Sequence, residues 1–154
     1  MNLDIAGLGA SAAMLRDAAA RGEDMRPAMQ RLKALFIEGH RENFESEGSL
    51  FGERWPADSP ETLARKAREG VPSLQSAMVD EGDLREALSG GKGGRARVSR
   101  GSVSVGVSLI SALFSQGGAG GPRKGEQPAR RVVGISDPQH EESLSILTSF
   151  LLGR

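Results

Sequence analysis

Cysteine and tyrosine are absent from this chain of 154 residues, histidine occurs twice and tryptophan once. The missing thiols exclude disulfide staples, thiolate zinc sites and a cysteine nucleophile, and leave the redox compartment open but compatible with cytoplasm. The histidines are His40 and His140. His40 falls near an apolar helical stripe with no second ligand-type residue at metal spacing, so it reads as a surface or partly buried helix residue, and no metal site is expected. A catalytic set needs a nucleophile, a base and an orienting group within reach of one another. The inventory for one is poor, because the serines between 99 and 115 alternate as a solvated strand face would. The chain is expected not to be an enzyme and to need no cofactor.

Long hydrophobic runs are missing too. The longest apolar stretch, near Val107–Phe114, is far too short to span a bilayer, and "MNLDIAGLGA" at the start lacks the basic region of a secretory signal. The expectation is a soluble, unexported protein with no membrane partner. Hydrophobic residues make up 38% and aromatics 4%, against 21 glycines. That describes an α+β chain with a thin core and much loop, of a length for one domain, in which some burial comes from a partner.

The net charge is zero but segregated: residues 1–86 carry 11 basic and 16 acidic side chains, residues 87–134 carry 8 and 1, and residues 135–154 carry 1 and 3. The basic island suits either a nucleic-acid backbone or the acidic surface of a neighbouring copy.

Residues Asp4 to Ala20 form an alanine-rich, helix-prone run, with Gly22 as its stop and Glu23/Asp24 as the start of the next helix. In that second helix Pro27 fits the first turn, and Met25, Met29, Leu32, Phe36 and Phe44 recur at helical spacing, with Leu35 widening the stripe. "SPETLARKAREG" has Ser59 as N-cap, Pro60 at the first helical position and Gly70 as terminator. A short helical segment is predicted at Asp83–Leu88. Beyond Gly90 the period becomes two, predicting a hairpin with its turn at Arg100–Ser102. "ARRVVGI" reads as a further strand, and Asp137 and Pro138 as the cap and opening of a last helix whose Leu144, Ile146, Leu147, Phe150 and Leu151 form an apolar face. The fold class is thus α+β: N-terminal helices, a small antiparallel sheet of hairpin plus one strand, and a C-terminal helix packed on it. Residues 1–22 are an N-terminal helical extension and 23–154 the core, with a mobile loop at 117–127. Phe36 and Trp55 are the expected core anchors.

"SGGKGGRARVSR" invites a phosphate-loop reading, which fails because no Ser or Thr follows Lys92 and a strand, not a helix, comes next. The basic island lacks interleaved aromatics for stacking, Phe114 being the sole aromatic between residues 56 and 149. Nonspecific association with DNA through Lys92, Arg95, Arg97, Arg100, Arg123 and Lys124 remains as the alternative function, that of a small DNA-associated module using segment 92–131.

Four segments in order resemble the phage virion morphogenesis family, the tail-completion proteins of Mu-like and P2-like phages. In "RENFESEGSLFGERWPADSPETLARK", Phe44, Gly52, Trp55, Pro56 and Thr62 fall where the family has a helix-ending phenylalanine, a glycine loop, a tryptophan–proline pair and a threonine-bearing short helix. In "MVDEGDLREAL", Gly82 and Leu84 match a glycine turn and a leucine-led helix. "VSVGVSLISALFSQGG" is similar to the family's glycine-bearing strand, with Ser115 where histidine is common, so no role of that histidine carries over. "QPARRVVGIS" resembles a proline–alanine–arginine–proline run, with Arg131 in place of the second proline.

The resemblance implies a structural virion protein, a tail terminator or head–tail connector, assembled in the host cytoplasm into a ring, a hexamer, at the neck or the top of the tail. Its implied partners are other copies of itself, neighbouring head-completion, connector or tail-tube proteins, and phage DNA in nonspecific proximity. The basic residues Lys92, Arg95, Arg97, Arg100, Arg123, Lys124, Arg130 and Arg131 are then candidates for subunit interface or lumen. Arg130, at the family's arginine position, is the leading candidate for an interface or fold-locking ion pair, and Arg131 for a solvated or lumen-facing charge.

Overall fold

The computed structural model describes residues 5–70, 83–107 and 130–154, except the side chains of residues 5–7 and 83. Gly82, Ser115, Arg123, Lys124 and the loop 117–127 lie outside the described residues. The elements run α1 (Ile5–Glu23), α2 (Arg26–Glu45), α3 (Pro60–Glu69), α4 (Asp83–Leu88), β1 (Gly94–Val98), β2 (Val103–Val107) and α5 (Asp137–Leu152). The class is α+β. The organising element is α2, which packs on α4, α5 and both strands, while α1 packs on α5.

The first two helices part at Asp24–Met25. The Asp24 carboxylate accepts the backbone N–H of Arg26 at 3.1 Å, and the N–H of Met25 donates to the carbonyl of Arg100 at 2.9 Å. The tip of the hairpin thereby satisfies an amide at the start of α2 that has no helical partner. Met29, Leu32 and Phe44 of the expected stripe are buried. Phe36 is not the core anchor the stripe suggests but is only half-buried. The buried line passes instead through Gly39, His40 and Asn43, where the Gln139 side chain from α5 covers this turn and donates to the Leu35 carbonyl at 3.3 Å.

β1 and β2 pair antiparallel in the register Gly94↔Val107 to Val98↔Val103. Alternation puts Ala96, Val98, Val103, Val105 and Val107 on one face, and Arg95, Arg97, Ser104 and Gly106 on the other. Residues 130–135 do not form the expected further strand; among the described residues the sheet has two strands. The reason lies in the hydrogen bonds of this segment: the Arg131 carbonyl accepts from the side chains of Asn43 and Trp55 rather than from a ladder.

The last helix is capped by Ser136, one residue before the expected Asp137. The Ser136 hydroxyl accepts the N–H of Gln139, and the Gln139 side-chain oxygen accepts the N–H of Ser136, a reciprocal capping box. Pro138 therefore lies one position further into the helix than expected. On the apolar face of α5, Ile146, Leu147, Phe150 and Leu151 are half-buried and Leu144 is exposed. The helix packs chiefly on α1 and α2 and also contacts the sheet. Arg21 of α1 closes its far end, donating to the Leu151 carbonyl at 2.8 Å, where a cation also complements the helix dipole.

Candidate functional site

Most of the described residues singled out in the sequence gather in two places, a buried junction and an exposed hairpin face. The junction forms where α2 ends. Glu47 and Gly48 turn the chain through the left-handed region, at φ of 52° and 94°, and the backbone N–H of Trp55 returns to the Glu47 carbonyl at 2.6 Å. A Cβ on Gly48 would lie 2.3 Å from the Trp55 ring, so only glycine allows the indole to close over this turn. Trp55 packs edge-on to Phe44 with ring centroids 5.2 Å apart. With Leu84, Leu88 and Val132 these two rings form the core cluster, on which Val107 and Val133 also pack.

One side-chain amide and one indole N–H organise the polar part of the junction. Asn43, fully buried, donates through Nδ2 to the Arg131 carbonyl at 3.1 Å and accepts the Phe51 N–H through Oδ1 at 3.1 Å. Trp55 Nε1 donates to the same Arg131 carbonyl at 3.2 Å. Arg131 is exposed, and its guanidinium also donates to the Phe51 carbonyl at 2.8 Å, which fastens the loop.

Arg130 lies against the Trp-Pro loop, donating to the Pro56 carbonyl at 3.0 Å and pairing with Asp58 at 3.1 Å. The other carboxylate oxygen of Asp58 takes Lys66 of α3 at 2.6 Å, and the side chains of Lys66 and Asp58 are only 2% and 6% exposed. One carboxylate thus holds two cations, one from the short helix and one from the segment before α5. Thr62 supports the start of that short helix: its N–H donates to the Ser59 hydroxyl at 3.2 Å.

His40 is buried, with Nδ1 at 2.6 Å from the Phe36 carbonyl and its ring edge-on to Phe51 at 5.4 Å. A carbonyl can only accept, so Nδ1 carries the proton. Nε2 is then a bare acceptor, buried without a partner. Burial lowers the pKa of His40, with the Phe36 carbonyl opposing more weakly. His140 is exposed on α5. Among the described residues no three metal-ligating side chains come together, and no helix is long and apolar enough to cross a membrane.

The second place is the hairpin. Arg95, Arg97 and Arg100 are exposed, as is Lys92 in the glycine-rich turn that leads into it. That turn is held by Glu86, whose carboxylate accepts the Lys92 N–H at 3.3 Å. A cavity of about 140 Å³ opens beside β1, lined by Lys33 and Ile37 of α2, Ala87, Gly90, Arg95 and Val105 among others.

Sequence reasoning missed Asn43, Asp58, Lys66 and Gln139. Asn43 alone left a signal, a polar residue beside Phe44 on the apolar face of α2. Compared with family models, with curated proteins and with solved structures, the chain finds no match.

Proposed function

We propose that this chain is a structural subunit of a tailed-phage virion, forming a ring, a hexamer, at the head–tail junction or the top of the tail, where it completes the tail for joining. The observation that supports this reading is convergence. Phe44 and Trp55, Leu84, Val107 and Val132 come from the four segments that resemble the tail-completion family, and they meet in one core cluster. Three residues of the shared pattern, Phe44, Trp55 and Leu84, therefore help to build this chain's core, as expected of a protein that acts through its shape.

The surface suits a subunit that buries more of itself on assembly. Leu8, Met14 and Leu15 on α1 and Leu144 on α5 are all at least half exposed, and large apolar side chains on a surface fit contact with another protein. A closed ring needs two different complementary patches on each subunit, and segregated charge sets their register more than their affinity.

Electron microscopy of the purified protein and of virions is the test, with closed rings of uniform copy number expected. Phage lacking the gene should accumulate separate heads and tails. Normal virion yield without the gene would overturn the reading.

A further inference from the structure

The geometry points to the outer face of the β1–β2 hairpin as a binding surface for the phosphodiester backbone of a nucleic acid, read without regard to sequence. Arg95 and Arg97 lie two residues apart on one strand, so they share a face and stand about 6.8 Å apart along it. That is close to the path between neighbouring phosphates of one nucleic-acid strand. Opposite them in register are Gly106 and Ser104, one leaving the strand surface low enough for a backbone to approach and the other offering a hydroxyl donor.

Among the described residues neither arginine has a carboxylate within ion-pair distance, and unlike the exposed Arg16 and Arg31, which also lack one, the two share one strand face. Arg26, Arg41, Arg54, Arg65 and Arg85 each face an Asp or Glu within ion-pair distance. Among the described residues, no side-chain ion pair or hydrogen bond engages Arg95 or Arg97. The acids nearest the ends of the hairpin are already engaged: Glu86 binds the Lys92 amide, and Asp24 forks onto Arg26 beside Arg100.

The composition of the face favours nucleic acid over an acidic protein. Protein interfaces centre on apolar and aromatic side chains and are depleted of charge at their core, whereas Arg95, Arg97, Ser104 and Gly106 include no apolar side chain at all. Contacts to phosphate need only cations, hydroxyls and close backbone, and carry no sequence information. With no aromatic on the face there is no platform for splayed bases, so duplex and single strand are both held by their phosphates. This surface is argued independently of the ring.

The test is fluorescence anisotropy of the full chain with a labelled mixed-sequence duplex, a scrambled duplex and a single strand, across a salt series. Binding should be equal on the two duplexes within about threefold and should weaken linearly in log–log with salt, by roughly 0.9 per duplex phosphate contacted. Arg95→Ala with Arg97→Ala should weaken binding at least tenfold at low salt and reduce the slope by about 2. Arg95→Lys with Arg97→Lys should stay within a few-fold of the parent, and Arg54→Ala, off the hairpin, should change nothing. Arg95→Gln with Arg97→Gln, with circular dichroism matching the parent, replaces the Ala pair if that pair misfolds. Absence of binding at low salt, or an unchanged slope in the neutral variants, overturns the proposal. So does a change in mass by light scattering in those variants without any nucleic-acid binding by the parent, which would assign the face to a protein contact.

Discussion

Asn43 and Arg131 are joined across 88 residues of sequence by a hydrogen bond from the Asn43 side chain to the Arg131 carbonyl at 3.1 Å. The same Asn43 takes the Phe51 N–H, so one buried amide ties the end of α2, the loop leading to Trp55 and the segment entering α5. Asn43→Ala strands the buried Phe51 N–H, which costs about 1–3 kcal/mol. Trp55→Phe should cost less than Asn43→Ala, because the Arg131 carbonyl keeps its bond from Asn43. Trp55→Ala should cost about 3–5 kcal/mol through the cavity it leaves. Urea unfolding of the three variants checks this order, and a Phe variant as damaged as the Ala variant would show that the indole N–H matters more than its ring.

The helices were legible because their ends are punctuated locally. Ser59–Pro60 and Gly70 bracket α3 at the positions expected, and Gly70 does adopt the left-handed conformation, with φ 67°. The hairpin was equally legible from its alternation. The junction was not, because the bonds from Asn43 and Trp55 to Arg131 span most of the chain and leave no periodic trace. The same physics explains the missing strand: Val132 and Val133 look like strand residues, and Val132 is indeed buried, but a neighbouring carbonyl is taken by side chains. The charge blocks likewise hid Asp58, an acid in the acidic half whose side chain is buried between Lys66 and Arg130.

That buried carboxylate gives a second expectation. Removing one member of a buried ionic group leaves the others uncompensated and costs about 3–5 kcal/mol. Asp58→Ala should therefore destabilise strongly, leaving the charges of Lys66 and Arg130 without their shared carboxylate. Replacing Asp58, Lys66 and Arg130 together by Leu, Met and Met should cost less than Asp58→Ala alone, since the carboxylate and the two cations it holds are removed together. Equal losses in denaturant melts would mean that geometry, not charge, is what this cluster contributes.

Glycine positions separate propensity from packing. Gly9 sits in α1 with open space around a built Cβ, so Gly9→Ala should stabilise by about 0.5–1 kcal/mol. Gly39 is also helical, and Ala there would gain a similar amount from propensity. A Cβ at Gly39 would, however, fall 1.6 Å from Gln139 Nε2. Gln139 cannot swing away without giving up its bonds to Ser136 and Leu35, each worth about 0.5–1.5 kcal/mol. Gly39→Ala should thus lower the melting temperature while Gly9→Ala raises it, and two shifts of the same sign would contradict the close fit of α5 on α2.

His40 sets an acid limit on stability. Its folded pKa lies below the ordinary value near 6.5, chiefly through burial, so between pH 6.5 and that lower folded value the unfolded chain binds more protons than the native one. Stability then rises with pH across this window and falls as pH drops. Its contribution is fully present above 6.5 and lost progressively below. Protonation would also place a second N–H donor on Nε2, which has no partner in its buried site. His40→Asn keeps a donor near the Phe36 carbonyl and removes the titration. It should be less stable at pH 7, because a smaller side chain leaves a void against Phe51, yet lose less stability than the parent between pH 6.5 and 5. Urea melts at half-unit pH steps give the two slopes, and parallel curves would mean that carboxylates, not His40, govern the acid limb.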